Sequence, residues 1–594
     1  MIVRFIIFIS FFALFTSSVF ASEPIWKEGK ERTDHSSSSS VDRQFSLDVP
    51  ALVDQIDHTS SASSAKKSNQ PISFNLPLPN GETINLLATE YSIMEEGTSA
   101  YGDFRSWKVT GQDDPSVSGV MDVSSNGFHA MIQLADGETV FIEPDSIESD
   151  SIKPASESSQ QSNTYKSYRK SDSQNEIPFQ CGIHLTDDPV VALKQSPIIA
   201  QRVAKDLKTY RLAMAATGEF TQFYGNKTAA MNAISSMLNE VNFIYERDLG
   251  IRLLLIGSNA DIVFTNPNTD PYPTNRDEAL LDANTGVINS VVGAGAYDIG
   301  HVLTRFTNAV GGIAALGSVC GSSKGGGMTG SANPRDPAFA IDFVAHELGH
   351  QLGATHTFNS TTGSCAGGNR VAVSAFEPGS GSSVMAYAGI CGINDIVDNS
   401  LPVFHIASIS QIDSNTRITG DCAANTTSLN EDPDISSVTT NLTVNAGQSF
   451  TLTGAATDPD GDTLTYAWDQ MDAGTASNKF VDTGNNALFE VKMPSSSASR
   501  TFEGRAVTNR NLTFEFVVRD EEGGIRTRTT SVSVVNGSAP GTNTGSGGDS
   551  GSSSGGGGSF DIALFLLFFS LILIVRDPFH VKVSVKQNDV WRKQ

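Results

Sequence analysis

The alternation of hydrophobic and polar positions divides the chain into stretches of different character. Over residues 72–144 short apolar runs alternate with turn signals, and residues 128–134 and 139–142 have the pattern of a β-hairpin. The flanking residues 22–70 and 146–175 are polar and rich in serine, which is typical of disordered segments and linkers. The pattern therefore predicts a small β-rich module between two loosely structured stretches.

From about residue 209 the hydrophobic spacing becomes that of helices separated by buried strands. Apolar residues recur with a helical period from Met231 to Tyr245 and predict a helix over 228–248, which Gly250 closes. Helices and strands that alternate in this way are typical of an α/β domain. The other predicted helices cover 276–291 and 339–352, and the predicted strands cover 210–215, 251–256, 297–306 and 312–319.

Residues 434–535 return to short alternating strands with regular turns, and about 100 residues of this kind predict a β-sandwich. Within them, residues 457–468 read TDPDGDTLTYAW, which resembles the PKD and cadherin-like, immunoglobulin-type modules of bacterial surface proteins. Asp458, Asp460 and Asp462 bring carboxylates close together, as a calcium ion requires. A solvated turn is the alternative interpretation of these three residues.

Composition and charge narrow the classes of function. The chain has 594 residues, too many for one hydrophobic core, so several domains are expected. Its 40 Lys and Arg against 65 Asp and Glu give a formal net charge of −25. This charge argues against nucleic-acid binding, which depends on a basic surface. The 5 cysteines are too few in so long a chain for a disulfide-rich miniprotein scaffold.

The N-terminal end of the chain predicts export. Residues 1–21 combine Arg4, an apolar run and Ala21, as a secretory signal peptide does. A membrane anchor is the alternative for this segment. Export leads to an oxidising compartment, in which disulfides can form.

The C-terminal end consists of a Gly/Ser linker over 538–559, an apolar segment over 560–576 and a short tail over 577–594. The apolar segment is short for a transmembrane helix, which needs about 20 residues. Residues 555–576 resemble the GlyGly-CTERM sorting tail of Gram-negative bacteria. The resemblance implies a transient membrane contact, cleavage by a sorting protease, and release to the outer cell surface or the medium. The single Arg576 and the residues after it depart from that pattern, so a plain membrane anchor is the alternative.

The strongest chemical signal is the run from His346 to His356, which reads HELGHQLGATH. On a helix His346 and His350 lie one turn apart, and Gly353 can end the helix so that His356 reaches the same ion. Three imidazoles and a water form the open tetrahedral site of zinc hydrolases. Glu347 lies beside them as the general base that activates water for attack on a peptide carbonyl. An ordinary helix with surface histidines is the alternative.

This run resembles the zinc-binding motif of the metzincin metallopeptidases. The resemblance implies an α/β catalytic domain in which a mixed sheet carries the zinc-binding active-site helix, a methionine turn at Met385, and a protein or peptide substrate. Tyr387 stands where some metzincins have a fifth zinc ligand, so it is expected to act as a ligand or oxyanion helper, or to pack in the wall. Residues 312–317 correspond to the sheet edge that pairs with an extended substrate, with a plain buried strand as the alternative.

Within the metzincins, residues 210–422 are most similar to the bacterial reprolysin-like (adamalysin-like) group. One departure is Thr357, because many reprolysins have Asp after the third histidine. The text around Cys181 resembles the cysteine switch of reprolysin propeptides, in which a thiolate takes the place of the catalytic water on zinc. An unpaired buried cysteine is the alternative. The resemblance implies a propeptide over 22–190 that keeps the enzyme inactive and a catalytic domain over 191–425.

The four remaining cysteines lie in the region of that catalytic domain. Sequence alone allows three pairings of Cys320, Cys365, Cys391 and Cys422. The resemblance implies that Cys365 pairs with Cys391 and that Cys320 pairs with Cys422.

Together these patterns predict a monomeric zinc endopeptidase, secreted or held on the cell surface. It is expected to be made as a zymogen, with one catalytic Zn²⁺, a β-sandwich over 430–537 whose acidic turn is either a Ca²⁺ site or a solvated turn, and a sorting tail. The rival from another class is a surface adhesion protein with a vestigial protease domain, which the intact Glu347 disfavours. A third hypothesis keeps zinc hydrolysis but on a non-peptide or exopeptidase substrate, which the open sheet edge disfavours.

Overall fold

The computed structural model of the chain describes residues 25–28, 43–61, 71–95, 103–145, 164–172, 179–184, 206–273, 278–306, 310–335, 338–427 and 430–537. The predicted signal peptide, the Gly/Ser linker, the apolar C-terminal segment and the tail lie outside these residues. Among the described residues, no helix has the length and apolar character that crossing a membrane requires.

Residues 26–169 form the N-terminal β module, a nine-stranded antiparallel sheet with the strand order β1-β2-β9-β8-β7-β6-β5-β4-β3 and one helix. One sheet face encloses a core of its own around Trp107, Met121 and Phe128. The elements are β1 (Trp26–Glu28), β2 (Arg43–Leu47), α1 (Val49–Ser61), β3 (Ile72–Pro77), β4 (Thr83–Glu90), β5 (Arg105–Gly111), β6 (Ser118–Ser124), β7 (Gly127–Gln133), β8 (Thr139–Pro144) and β9 (Thr164–Arg169).

Two stretches that the sequence pattern assigned to disorder and a linker contain regular structure, so that prediction was wrong for residues 26–28, 43–61 and 164–172. In β2, Phe45 and Leu47 alternate into the core, and β9 places a buried Tyr165 between β2 and β8. These segments contain too few apolar residues for their own sequence to predict a strand or a helix. They become ordered because strands distant in sequence supply their partners.

Residues 179–427 contain the α/β module, a mixed sheet with the order β10-β14-β15-β13-β11-β12 and with β16 beside β11. Strands β11, β12, β13 and β15 are parallel, whereas β14 runs antiparallel to β15 and has β10 on its other edge. The strands are β10 (Phe179–His184), β11 (Asp206–Ala216), β12 (Ile251–Leu255), β13 (Ile299–Arg305), β14 (Val310–Ala315), β15 (Gly327–Ser331) and β16 (Ala424–Thr427). The helices are α2 (Gly218–Tyr224), α3 (Lys227–Leu249), α4 (Glu278–Val291), α5 (His346–Gln351) and α6 (Ile406–Ile418).

Local signals fix the ends of the central helix α3. The side chain of Asn226 accepts a hydrogen bond from the Ala229 amide, which caps the first turn, and Gly250 ends the helix with left-handed backbone. The predicted helix over 339–352 is divided instead. Residues Phe339–Ala345 have π-helical hydrogen bonding, and only α5 is an α-helix. Short π-helical segments are frequent at functional sites.

Residues 434–535 form the C-terminal β module, in which a three-stranded and a four-stranded sheet enclose one aromatic core. The sheet orders are β17-β19-β21 and β18-β23-β22-β20, and Trp468, Phe514 and Phe516 lie in the core. The strands are β17 (Asp434–Val438), β18 (Leu442–Asn445), β19 (Phe450–Thr457), β20 (Thr465–Gln470), β21 (Ser499–Phe502), β22 (Arg510–Arg519) and β23 (Ile525–Val535).

The three modules belong to one compact unit and meet at a buried charge network. Asp248, at the end of α3, pairs with Arg247 and with Arg519 of the C-terminal β module, each at 2.9 Å. Arg247 also donates to the side chain of Gln133 in the N-terminal β module. Burial alone would raise the pKa of Asp248, but the two guanidinium groups hold this pKa below its ordinary value.

Candidate metal centre

The three histidines of the motif converge on one point. His346 and His350 project from α5, and Gly353, with a φ of 110°, ends the helix so that the chain brings His356 back. The Nε2 atoms are 3.0 Å apart for His346 and His350, 3.1 Å for His350 and His356, and 3.3 Å for His346 and His356. All three side chains are completely buried.

Backbone carbonyls orient each ring. The Nδ1 atoms of His346, His350 and His356 each lie 2.7 Å from a carbonyl oxygen, those of Val384, Ala354 and Asn369 respectively. A carbonyl oxygen only accepts hydrogen bonds, so Nδ1 carries the proton and each Nε2 has its lone pair toward the common point. Burial lowers the pKa of His346 to about 4 and lowers those of His350 and His356 well below the ordinary value, which keeps the rings neutral.

Cys181 completes the cluster. Its Sγ atom lies 3.5 Å from Nε2 of His350 and 3.7 Å from Nε2 of His356. Tetrahedral zinc, with Zn–N of about 2.0–2.1 Å and Zn–S of about 2.3 Å, places nitrogens about 3.4 Å apart and nitrogen and sulfur about 3.6 Å apart. The observed separations match these values to within a few tenths of an ångström. The donor set and its spacing therefore fit a zinc ion.

Strand pairing brings Cys181 to this point. Strand β10 runs parallel to β14, with Cys181 opposite Gly312. The hydroxyl of Tyr387 donates to the carbonyl oxygen of Cys181 at 2.9 Å. The thiol is buried, and burial, together with the nearby carboxyl of Glu347, raises its pKa well above the ordinary value. A bound cation acts in the opposite direction and favours the thiolate.

Glu347 lies beside the cluster, with the Cys181 thiol as a near neighbour that favours its charged form. Its side chain is completely buried, and among the described residues neither carboxyl oxygen has a hydrogen-bond partner. Burial raises its pKa well above the ordinary value. The carboxyl group sits against the backbone of β14, since a Cβ atom on Gly312 would lie 2.2 Å from Oε1. A buried polar group without a partner is costly, and such groups often serve a function.

Met385 and Tyr387 form the floor and wall of the site. Met385 is completely buried under α5, where a Cβ atom on Gly349 would lie 2.6 Å from its Sδ atom. The ring of Tyr387 lies 4.5 Å from those of His356 and Phe358 between centroids. Tyr387 therefore packs in the wall while its hydroxyl faces Cys181. A role as ligand or oxyanion helper stays a prediction.

The other sequence-predicted residues lie outside the cluster. Cys320 is bonded to Cys422 and Cys365 to Cys391, with Cα atoms 5.8 and 5.3 Å apart. These are the two pairs that the resemblance implied.

The acidic turn of the C-terminal β module brings its three carboxylates together. Ligand oxygens of Asp458, Asp460 and Asp462 lie within 4.8 Å of one another. Oδ1 of Asp458 already accepts the amides of Asp460 and Asp462, at 2.8 and 3.1 Å. Calcium binding at this turn stays a prediction.

Sequence patterns do not mark the groups that support the metal ligands. The carbonyls of Val384, Ala354 and Asn369 are backbone groups, so no side-chain type marks them. Residues 377–381 belong to the text that resembles the reprolysin group, but that resemblance gives Glu377 no role; Glu377 is completely buried and hydrogen-bonded to Thr357 and Ser383.

Comparison with known proteins finds a family model that matches most of the α/β module. Residues 206–415 match the family model of the reprolysin-like metallopeptidases of family M12B. The chain is also similar to the PKD domain of an M14-like peptidase from a Thermoplasmatales archaeon, at 20% identity over 18% of this chain and 97% of that one, with a TM-score of 0.13. A similar match is the PKD1 domain of Vibrio anguillarum Epp, at 19% identity over 18% of this chain and 99% of that one, with a TM-score of 0.12. His346, Glu347, His350 and His356 thus lie within the residues that this metallopeptidase model matches.

Proposed function

We propose that this chain is an exported zinc endopeptidase made as a latent precursor. The observation that carries the proposal is the four-ligand cluster, in which Cys181, from a segment before the metallopeptidase domain, joins His346, His350 and His356. Four protein ligands leave no open position for water, as in structural rather than catalytic zinc sites. Removal of Cys181 leaves three histidines, the ligand set of an open catalytic site.

The side chains around the cluster have distinct roles in this proposal. His346, His350 and His356 hold the zinc ion, which when bound polarises the scissile carbonyl and lowers the pKa of water. Glu347 accepts the proton of the attacking water and delivers it to the amine nitrogen that leaves. Its place against Gly312 supports this role, because β14 becomes the sheet edge once β10 has left, and an extended peptide would pair along it.

The pairing of β10 with β14 supports the proposal that the precursor is inactive. Strand β10 pairs with β14 along its whole length, from Val310 to Ala315, so a substrate strand cannot pair there. Tyr387 donates to the Cys181 carbonyl, and once β10 has left, its hydroxyl is available to a substrate carbonyl. An edge that extends on both sides of Gly312 suits an internal peptide bond and therefore an endopeptidase.

A buried ion pair near the metal centre also joins the end of the N-terminal β module to the α/β module. Lys170 forms a buried ion pair with Asp342 at 2.7 Å, with side-chain exposures of 6% and 5%. Asp342 lies in the π-helical segment one turn before His346. Residues 22 to about 190 are therefore proposed to act as a propeptide, and activation requires its release.

The cellular location follows from the chain ends in this proposal. The signal peptide at residues 1–21 directs export, and the segment at 560–576 meets a membrane and a sorting protease before release from a Gram-negative cell. Two disulfides in the metallopeptidase domain suit an oxidising compartment.

Metal removal tests the proposed function directly. The protein is cleaved within residues 185–205, which contain Lys194, Arg202 and Lys205 for a trypsin-like protease. It should then contain one zinc per chain and hydrolyse casein. A chelator should lower the rate at least about a hundredfold, because zinc contributes several kcal/mol of transition-state stabilisation. Added zinc should restore the rate. Equal hydrolysis by metal-free protein would contradict the proposal.

Substitution of Gly312 tests the position of Glu347. The Cβ atom of Gly312→Ala would lie 2.2 Å from Oε1 of Glu347, so the carboxyl must move. We expect kcat to fall about a hundredfold, since displacement by about 1 Å has this effect, while the zinc content is unchanged. Gly286→Ala is the matched control, because a Cβ atom there meets nothing within 4 Å. Equal kcat for both cleaved variants would contradict the assignment.

A further inference from the structure

Glu377 is a completely buried acid that the proposed mechanism does not use. Its carboxyl group lies within hydrogen-bond distance of five donor groups. Oε1 accepts from the hydroxyls of Thr357, at 2.6 Å, and Ser383. Oε2 accepts from the Ser382 amide at 2.7 Å and the Ser383 amide at 3.1 Å. The Ser382 hydroxyl lies 3.2 Å from Oε2 and 3.0 Å from the carbonyl oxygen of Val491. Hydrogen bonds to a carboxylate are stronger than those between neutral groups.

These donors belong to the two segments that support metal ligands. Thr357 follows His356 directly in the chain. Ser382 and Ser383 precede Val384, whose carbonyl oxygen accepts the Nδ1–H of His346 at 2.7 Å. Glu377 therefore joins the segment that carries one ligand to the segment that orients another.

Backbone hydrogen bonds strengthen this link. The amide of Glu377 donates to the carbonyl of Thr357 at 2.9 Å, and the amide of Thr357 donates to the carbonyl of Met385 at 3.2 Å. The segments around His356, Glu377 and Met385 thus form one connected unit beneath the metal centre.

We infer that Glu377 is a positioning residue of the metal centre, which holds His346 and His356 at the separation that one metal ion requires. The inference rests on the proposed function in that the ion is zinc. Thr357 relays the effect to His356, and the serine pair relays it to His346 through Val384. Groups that orient metal ligands in this way typically change metal affinity 10–100-fold when they are removed.

The test measures zinc release from the full-length precursor into excess chromogenic chelator at neutral pH. Thr357→Val keeps the shape of the side chain but removes one donor, and Glu377→Met removes all five acceptor contacts. We expect both to release zinc at least about tenfold faster than the wild type. Glu377→Gln should lie close to the wild type, because its oxygen can serve the two serine amides while its NH₂ group donates to the two hydroxyls.

The matched control is Glu515→Met in the C-terminal β module, where a buried carboxyl accepts a bond from Thr529. It should lower the melting temperature without changing zinc release. In the cobalt-substituted protein, Thr357→Val should alter the visible absorption of the metal and Glu515→Met should not.

Two outcomes separate the hypotheses. Wild-type release rates for both Thr357→Val and Glu377→Met, with one zinc bound in the wild type, would overturn the role of Glu377 and leave the proposed function intact. A wild-type precursor that holds no zinc would overturn both. Should Glu377→Met fail to fold, the near-isosteric Thr357→Val decides alone.

Discussion

Glu347→Gln is expected to lower the rate of peptide hydrolysis by about 10²–10⁴-fold while one zinc stays bound. The amide has nearly the same shape as the carboxyl, so it fits the same space against Gly312. It cannot accept the proton of the attacking water at neutral pH. The three histidines are unchanged, and their rings are oriented by backbone carbonyls that the substitution does not touch. The loss should therefore appear in kcat.

The measurement uses protein cleaved within residues 185–205, with a quenched fluorescent peptide blocked at both ends. The blocked ends exclude exopeptidase activity from the signal. Glu503→Gln, a matched change at an exposed carboxylate of the C-terminal β module, should leave the rate unchanged. Hydrolysis by Glu347→Gln at the wild-type rate would rule out Glu347 as the general base. No hydrolysis by zinc-loaded wild type would favour the adhesion hypothesis.

Cys181→Ala is expected to make the uncleaved precursor active, at least about tenfold above the wild-type precursor. The substitution removes the thiol that lies 3.5 and 3.7 Å from two of the imidazoles, so a ligand position opens to water. The backbone of β10 still pairs with β14 and restricts access by substrate. The variant should therefore remain less active than the cleaved enzyme.

Intact mass, measured before and after the assay, shows that the precursor was not cleaved. Val120→Ala is the control, because Val120 of β6 packs in the core that the N-terminal β module shares with the α/β module. It should loosen the same interface without activating the precursor. An inert, zinc-loaded Cys181→Ala precursor would contradict the cysteine-switch proposal.

The features that depend on neighbouring residues could be predicted from the sequence. The helix expected over 228–248 is Lys227–Leu249, because its cap and its terminating glycine lie at its own ends. The convergence of the three histidines follows from one helical turn and one left-handed glycine, Gly353. The π-helical segment before His346 was not predicted, since side-chain spacing does not reveal a change in backbone hydrogen bonding.

Features that depend on partners distant in the chain could not be predicted from the sequence pattern. Strand β9 is ordered because β2 and β8 pair with both of its edges, and its own residues are largely polar. The approach of Cys181 to His350 could be expected only through resemblance, because no local spacing relates them. The role of Glu377 could not be predicted from its neighbours in the sequence either, since it is defined by hydrogen-bond donors from two other segments.

The pairing of Asp248 with Arg519 has a consequence for how the protein can evolve. The metallopeptidase domain relies on a guanidinium from the C-terminal β module to balance a buried acid at the end of its central helix. Loss of one partner from a buried ion pair typically costs about 3–5 kcal/mol. Domain shuffling that exchanged this module for an unrelated one would carry that penalty. The two parts are therefore expected to melt in a single cooperative transition and to be inherited together.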